Sequence, residues 1–112
     1  MPDQPGPRRE LQRIRDGGGP GADDARAALT ATSPRDRLRA AILALAMARG
    51  AKSSTCPSDA ARAVADDWRP LLDEARQLAR ELAESGEVRL TQRGRPLDPG
   101  GDWSGPIRIS RR

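Results

Sequence analysis

In the stretch GEVRLTQRGRPLDPGGDWSGPIRI, residues 86–109, the apolar pattern changes period from helical to two. Val88 and Leu90 alternate with Arg89 and Thr91, which predicts a strand with one buried face. Arg93 to Pro106 is dense in glycine, proline and aspartate and predicts an extended loop. Ile107 and Ile109 then alternate with Arg108 and Ser110 as a returning strand. The fold therefore turns on what precedes this hairpin.

Three helices are predicted to precede it. Ser33 is a good N-cap, Pro34 suits the first helical position and Asp36 brings negative charge to the first turn. Leu38, Ala41, Ile42, Leu45 and Ala48 follow at helical spacing until Gly50 supplies a stop. The next start lies in TCPSDAARAV, Thr55 to Val64, with Cys56 as N-cap, Pro57 as first helical residue and Asp59 placed to reach back to the cap's own N–H. Thr55 is a second candidate for the capping role. Asp66 and Asp67 introduce the longest helix, whose apolar face runs through Trp68, Leu71, Leu72, Ala75, Leu78, Ala79 and Leu82 to a stop at Ser85 and Gly86. Three helices and a hairpin with a long loop predict an α+β fold, a small winged helix-turn-helix domain over residues 33–112.

Residues 1–32 differ in character. They carry several prolines, the run GGGPG at Gly17 to Gly21 and equal numbers of acidic and basic side chains. So little apolar surface does not offset the entropy of ordering the chain, which predicts a disordered N-terminal tail with transient helix at Glu10 to Asp16 and Asp24 to Ala31. Ala27, Ala28 and Leu29 are the residues able to dock on the domain.

The chain has 112 residues, a length for one modest core. The N-terminus lacks the apolar stretch of a signal peptide and no segment has the length of a membrane span, so the expected setting is cytoplasmic with no membrane partner. One cysteine and no histidine leave no internal disulfide and no zinc-ligand spacing, so neither metal nor cofactor is expected. Cys56 lacks a base nearby in sequence, and Asp59 opposes a thiolate there; the expectation is a helix start and not an enzyme's nucleophile. The net charge is +4 and the cations are arginines apart from Lys52. Arginine suits phosphate recognition, although a composition this rich in Arg, Ala, Gly and Pro also follows from GC-rich coding.

The motifs CPSDAARAV, WRPLLDEARQLARELAESGEV, TQRGRPLD and GPIRI together resemble the bacterial family known as domain of unknown function 3253, over about Arg37 to Ile109. The resemblance implies a winged-helix-like fold and carries no established activity. Cys56, Pro57, Trp68, Arg69, Gly94, Gly105 and Pro106 stand at the family's characteristic positions. Some relatives place a cysteine-rich module before this domain; Met1 to Thr32 contains no cysteine, so no metal role transfers.

In a helix-turn-helix protein the second helix of the motif enters the major groove, which here gives Arg69, Arg76, Gln77 and Arg80 as candidate nucleic-acid-binding residues. Asp73, Glu74, Glu81 and Glu84 on the same helix oppose that role. The hairpin is more basic, and Arg93, Arg95 and Arg108 join the candidates as phosphate contacts, against the alternative that they keep an exposed strand edge soluble. The expected partner is DNA or RNA; the alternative is a protein-interaction module using the third helix and Trp103, a residue that equally suits closing the loop over the core. A monomer or weak homodimer is expected.

Overall fold

The computed structural model describes residues 6–112. It is an α+β domain of five α-helices and a three-stranded antiparallel sheet: α1 Pro7–Gly17, α2 Ala22–Thr30, α3 Pro34–Arg49, α4 Pro57–Val64, α5 Leu72–Glu84, β1 Val88–Gln92, β2 Arg95–Pro96 and β3 Arg108–Arg111. The helices expected from Ser33 onward form close to where their caps place them. The Ser33 hydroxyl accepts from the Asp36 amide at 3.4 Å, and Pro34 and Pro57 are the first residues of α3 and α4. Proline costs nothing there, because that N–H has no intrahelical partner anyway.

The longest expected helix is divided. Trp68 leads into a 3₁₀ turn, Arg69–Leu71, and α5 proper begins at Leu72. Pro70 has no amide hydrogen to extend an α-helix backward, so the tighter turn absorbs it. Trp68 is consequently half-buried at the core's margin, with the Arg69 guanidinium 4.7 Å from its ring centroid.

The sheet order is β2-β1-β3. Val88, Leu90 and Ile109 enter the core. Between β1 and β2 the loop is only Arg93 and Gly94, so part of the segment expected as irregular loop pairs as a short strand through Thr91↔Pro96 and Gln92↔Arg95. Thr55, between α3 and α4, joins the sheet by reciprocal backbone hydrogen bonds with Ile109, at 2.7 and 2.8 Å. It is fully buried, and its hydroxyl donates to Asp59 Oδ2 at 3.1 Å. The Asp59 carboxylate is therefore held by Thr55 and Arg49 instead of serving as the reciprocal arm of a capping box.

The disordered tail is the expectation that fails. Residues 7–17 and 22–30 are helices, and Leu11, Ala25 and Ala28 belong to the same buried cluster as the rest of the domain, leaving no boundary at residue 32; the part of the expectation covering residues 1–5 lies outside the described residues. The reason lies in α3. Leu38 and every residue from Ala40 to Ala46 are buried, so this helix is apolar on all sides and requires neighbours on both. α4, α5 and the sheet cover one side; α1 and α2 cover the other. Ala48, counted among the apolar face, is exposed because α3 ends one residue later.

The GGGPG run is a tight link between packed helices. Gly18 ends α1 at φ 68°, and Gly21 starts α2 at φ 86° with its backbone so near α3 that a Cβ would lie 2.8 Å from the Ala44 carbonyl oxygen. Only glycine combines that conformation with that approach.

Three arginines fasten the N-terminal helices. Arg8 Nε donates to the Ala63 carbonyl at 3.1 Å, and Arg37 donates to the Ala28 and Val64 carbonyls at 3.2 and 3.0 Å. Arg49, at the end of α3, holds both oxygens of Glu10 from α1 at 2.9 and 2.7 Å, with Asp59 Oδ2 and the Ser54 carbonyl at 3.1 and 2.8 Å. Hydrogen bonding to Glu10, and further charge from Asp59, outweigh partial burial and hold Arg49 even more firmly protonated than usual.

Candidate nucleic-acid interface

β1, β2 and β3 together carry Arg89, Arg95, Arg108 and Arg111 and no acidic side chain. Because Leu90 and Ile109 point inward, strand alternation sends Arg89, Thr91, Arg108 and Ser110 to the outer face. Arg89 stands opposite Ser110 and Arg108 opposite Thr91, so the two arginines are diagonal neighbours, a separation of roughly 7–8 Å. Arg108 is oriented by Ser54, donating to its hydroxyl at 2.8 Å and its carbonyl at 3.0 Å. Both acceptors are neutral, so the positive charge stays uncompensated.

The tip of the hairpin adds Arg93, next to Arg95. Arg93 and Gly94 have φ of 53° and 80°, and a two-residue hairpin loop with both φ positive is the type I′ arrangement. Asn, Asp or Gly normally fills its first position. Arg93 is the one non-glycine residue with positive φ among the described residues. A side chain in that region costs about 1–2 kcal/mol, and here an exposed arginine bears it.

α5 presents a different surface. The Leu97–Ile107 loop folds back over it, and Trp103 is clasped by two of its arginines, with the Arg76 and Arg80 guanidiniums 4.9 and 4.5 Å from the ring centroid. Arg76 donates to the Gly105 carbonyl at 3.1 Å; Arg80 donates to Gly101 at 2.9 Å and also to Pro99. From the strand side, Gln92 donates to the Ser104 and Pro106 carbonyls at 2.5 and 3.2 Å. Two of the four donors expected to read base edges, Arg76 and Arg80, thus hold a loop. Trp103 is half-buried, and its indole N–H meets no acceptor among the described residues.

Two of the acids of α5, Glu74 and Glu81, are also engaged. Arg35 of α3 chelates Glu81 at 2.7 and 2.8 Å and lies 3.9 Å from Glu74. This hydrogen bonding holds the Glu81 carboxyl below its usual range, and Gln77, at 3.5 Å, adds to it. Glu87, just before β1, accepts from Arg39 at 3.3 Å and from Ser85 at 2.7 Å.

The seven sequence candidates therefore separate into distinct places. Arg93, Arg95 and Arg108 lie on the hairpin and sheet; Arg76 and Arg80 lie under the returning loop; Gln77 faces Glu81; Arg69 covers Trp68 at the 3₁₀ turn. Arg89 belongs with Arg108 on the outer face, whereas Arg111 pairs with Val88 at the strand's exposed end on the other side. The signal for Arg89 was strand alternation, which puts it on the face opposite Val88 and Leu90.

Among the described residues no group of His, Cys, Asp and Glu is arranged to hold a metal ion, and no helix is long and apolar enough to cross a membrane. The Cys56 thiol lies 3.1 Å from the Ser58 hydroxyl at the start of α4. No curated protein matches the chain. A sequence model of the family described as protein of unknown function (DUF3253) matches residues 35–112, which takes in α3 to β3 and leaves α1 and α2 outside. The chain belongs to that family.

Proposed function

We propose that this member of the family is a winged-helix-like domain that grips the DNA backbone through its hairpin and the outer face of its sheet. The topology supports the winged-helix reading: α3, the single-residue bridge at Thr55, α4, α5, β1, the hairpin loop and β3 follow in order, with the Thr55 bridge on β3. In this reading α4 and α5 are the helix pair, and β1 and β2 are the wing.

One observation carries the proposed contact: Arg93 occupies a left-handed position at the exposed hairpin tip where glycine or asparagine would be relaxed. Strain kept at an exposed charged tip suggests that the charge itself is needed there. Arg89 and Arg108 extend the positive charge along the outer face of the sheet, and Arg95, paired with Gln92, adds charge on the other side of the wing, in strands that have no acid. Guanidiniums suit phosphate because each offers parallel donors, and such contacts position a protein on DNA without reading sequence. Arg76 and Arg80 are loop supports in this account, so the helix contributes little direct base readout.

A protein-interaction module anchored on Trp103 has less support, since that ring is already enclosed by Arg76 and Arg80. The test compares an Arg89→Ala/Arg93→Ala/Arg95→Ala variant with Arg62→Ala, an exposed arginine of α4, by fluorescence anisotropy on a labelled mixed-sequence duplex. The hairpin variant loses most of the affinity and the α4 variant keeps it. Equal behaviour of the two would refute the proposed surface.

A further inference from the structure

We propose that the pocket between the start of α4, the start of α5 and the segment entering β3 binds a small amphipathic carboxylate. The pocket has a volume of about 450 Å³, and Pro57, Leu72, Pro106 and Ile107 provide its apolar walls. This volume is within the range of small-molecule sites, in which apolar walls supply most of the contact and a few polar groups orient the ligand.

The charge of the lining selects the ligand. Arg76 and Arg108 are its two ionised side chains, and the lining contains no acid. Neither arginine makes an ion pair among the described residues: Arg108 donates to Ser54, and Arg76 donates to the Gly105 carbonyl and faces the Trp103 ring. Of the two carboxylates adjacent in sequence to lining residues, Asp59 is turned to Arg49 and Thr55, and Asp73 lines the neighbouring hollow beside Trp103 without an ion pair to Arg76. A pocket with an apolar body and two uncompensated guanidiniums is complementary to a molecule with an apolar body and one anionic head.

Two of the motifs that carry the family resemblance, at Cys56–Pro57–Ser58 and Gly105–Pro106–Ile107, supply walls of this pocket. The site shares Arg108 with the proposed DNA surface but its test uses no DNA, so the two stand or fall on separate measurements.

Cys56 lines the pocket and is the chain's sole thiol, so occupancy is readable on the intact protein. The probe is 4-phenylbutyrate, and the readout is the rate at which the uncharged reagent 4,4′-dithiodipyridine modifies Cys56. 4-Phenylbutyrate slows modification saturably, while 4-phenylbutanol protects at least tenfold less well and 4-phenylbutylamine does not protect. Arg108→Gln raises the half-protecting concentration about tenfold, the order of one charge-assisted hydrogen bond, and Arg108→Lys restores part of it. Unchanged thermal melting of both variants shows that the fold is intact. Absence of protection by 4-phenylbutyrate, equal protection by the alcohol, or an Arg108→Gln variant protected like the parent would each overturn the proposal.

Discussion

Replacing Arg93 with asparagine should make the protein more stable and a weaker DNA binder, a combination that a merely structural arginine does not produce. Arg93 has φ 53° at the first position of the hairpin loop, and Gly94 follows at 80°. The left-handed region costs an ordinary residue about 1–2 kcal/mol. Asparagine tolerates it and recovers about half of that. For a chain of this size the gain amounts to a melting-temperature rise of roughly 2–5 °C. Arg93→Gly relieves the same strain but increases the freedom of the unfolded chain, so its gain is smaller.

Binding moves the other way. Each phosphate neutralised contributes about 0.9 to the slope of log affinity against log salt. Losing one contact therefore makes the affinity drop across a fourfold rise in salt smaller by a factor of about 3.5. Thermal melting and anisotropy at two salt concentrations measure both effects on one preparation. A lower melting temperature, or a salt slope equal to the parent's, would refute the reasoning.

The Trp103 clasp separates ring from N–H: Trp103→Ala lowers stability by about 1–2 kcal/mol through lost burial and two cation–π contacts. Trp103→Phe removes the unpartnered buried donor and stays within about 0.5 kcal/mol of the parent or exceeds it; urea denaturation distinguishes the two. Glu10→Gln replaces a half-buried bidentate carboxylate on Arg49 and costs about 1–2 kcal/mol, with hydrogen exchange accelerating first in α1. Burial raises the carboxyl of Asp24 above its ordinary 3.8, against the opposing pull of Arg39. Its protonated form is thus favoured by folding, and that stability is present below 3.8 and lost as pH rises through the raised value. Asp24→Asn accordingly raises the melting temperature at neutral pH and leaves it unchanged in acid below 3.8.

Local chemistry made α3, α4, β1 and β3 legible. Ser33, Pro34, Gly50 and Pro57 act within one helical turn, and the alternation through Val88 and Leu90 is a property of five consecutive residues. The N-terminal helices were obscured because what orders them is distant. Leu11 and Ala28 are few and small when counted within residues 1–32, and Glu10 meets Arg49 across 39 positions. One signal was present. The unbroken apolar run from Ala40 to Ala48 is too apolar for a helix with one solvent face, and it implied a further layer.

The candidate site was legible in part for the same reason. Arginine on the hairpin could be read from strand alternation. The conversion of Arg76 and Arg80 from helix-face donors to supports for the returning loop depends on Trp103 and on carbonyls that no periodicity announces. The hairpin loop lay between these cases: RG reads as a turn, while the positive φ that makes Arg93 informative follows only from the Gln92↔Arg95 register.

The most direct test of the account is the salt dependence of duplex DNA binding by the unmodified chain. About four phosphate contacts from the hairpin and sheet arginines give a slope of log affinity against log salt of about −4. A slope near that value, largely removed in the Arg89→Ala/Arg93→Ala/Arg95→Ala variant, is the predicted result. No binding at low salt, or binding indifferent to salt, would contradict it.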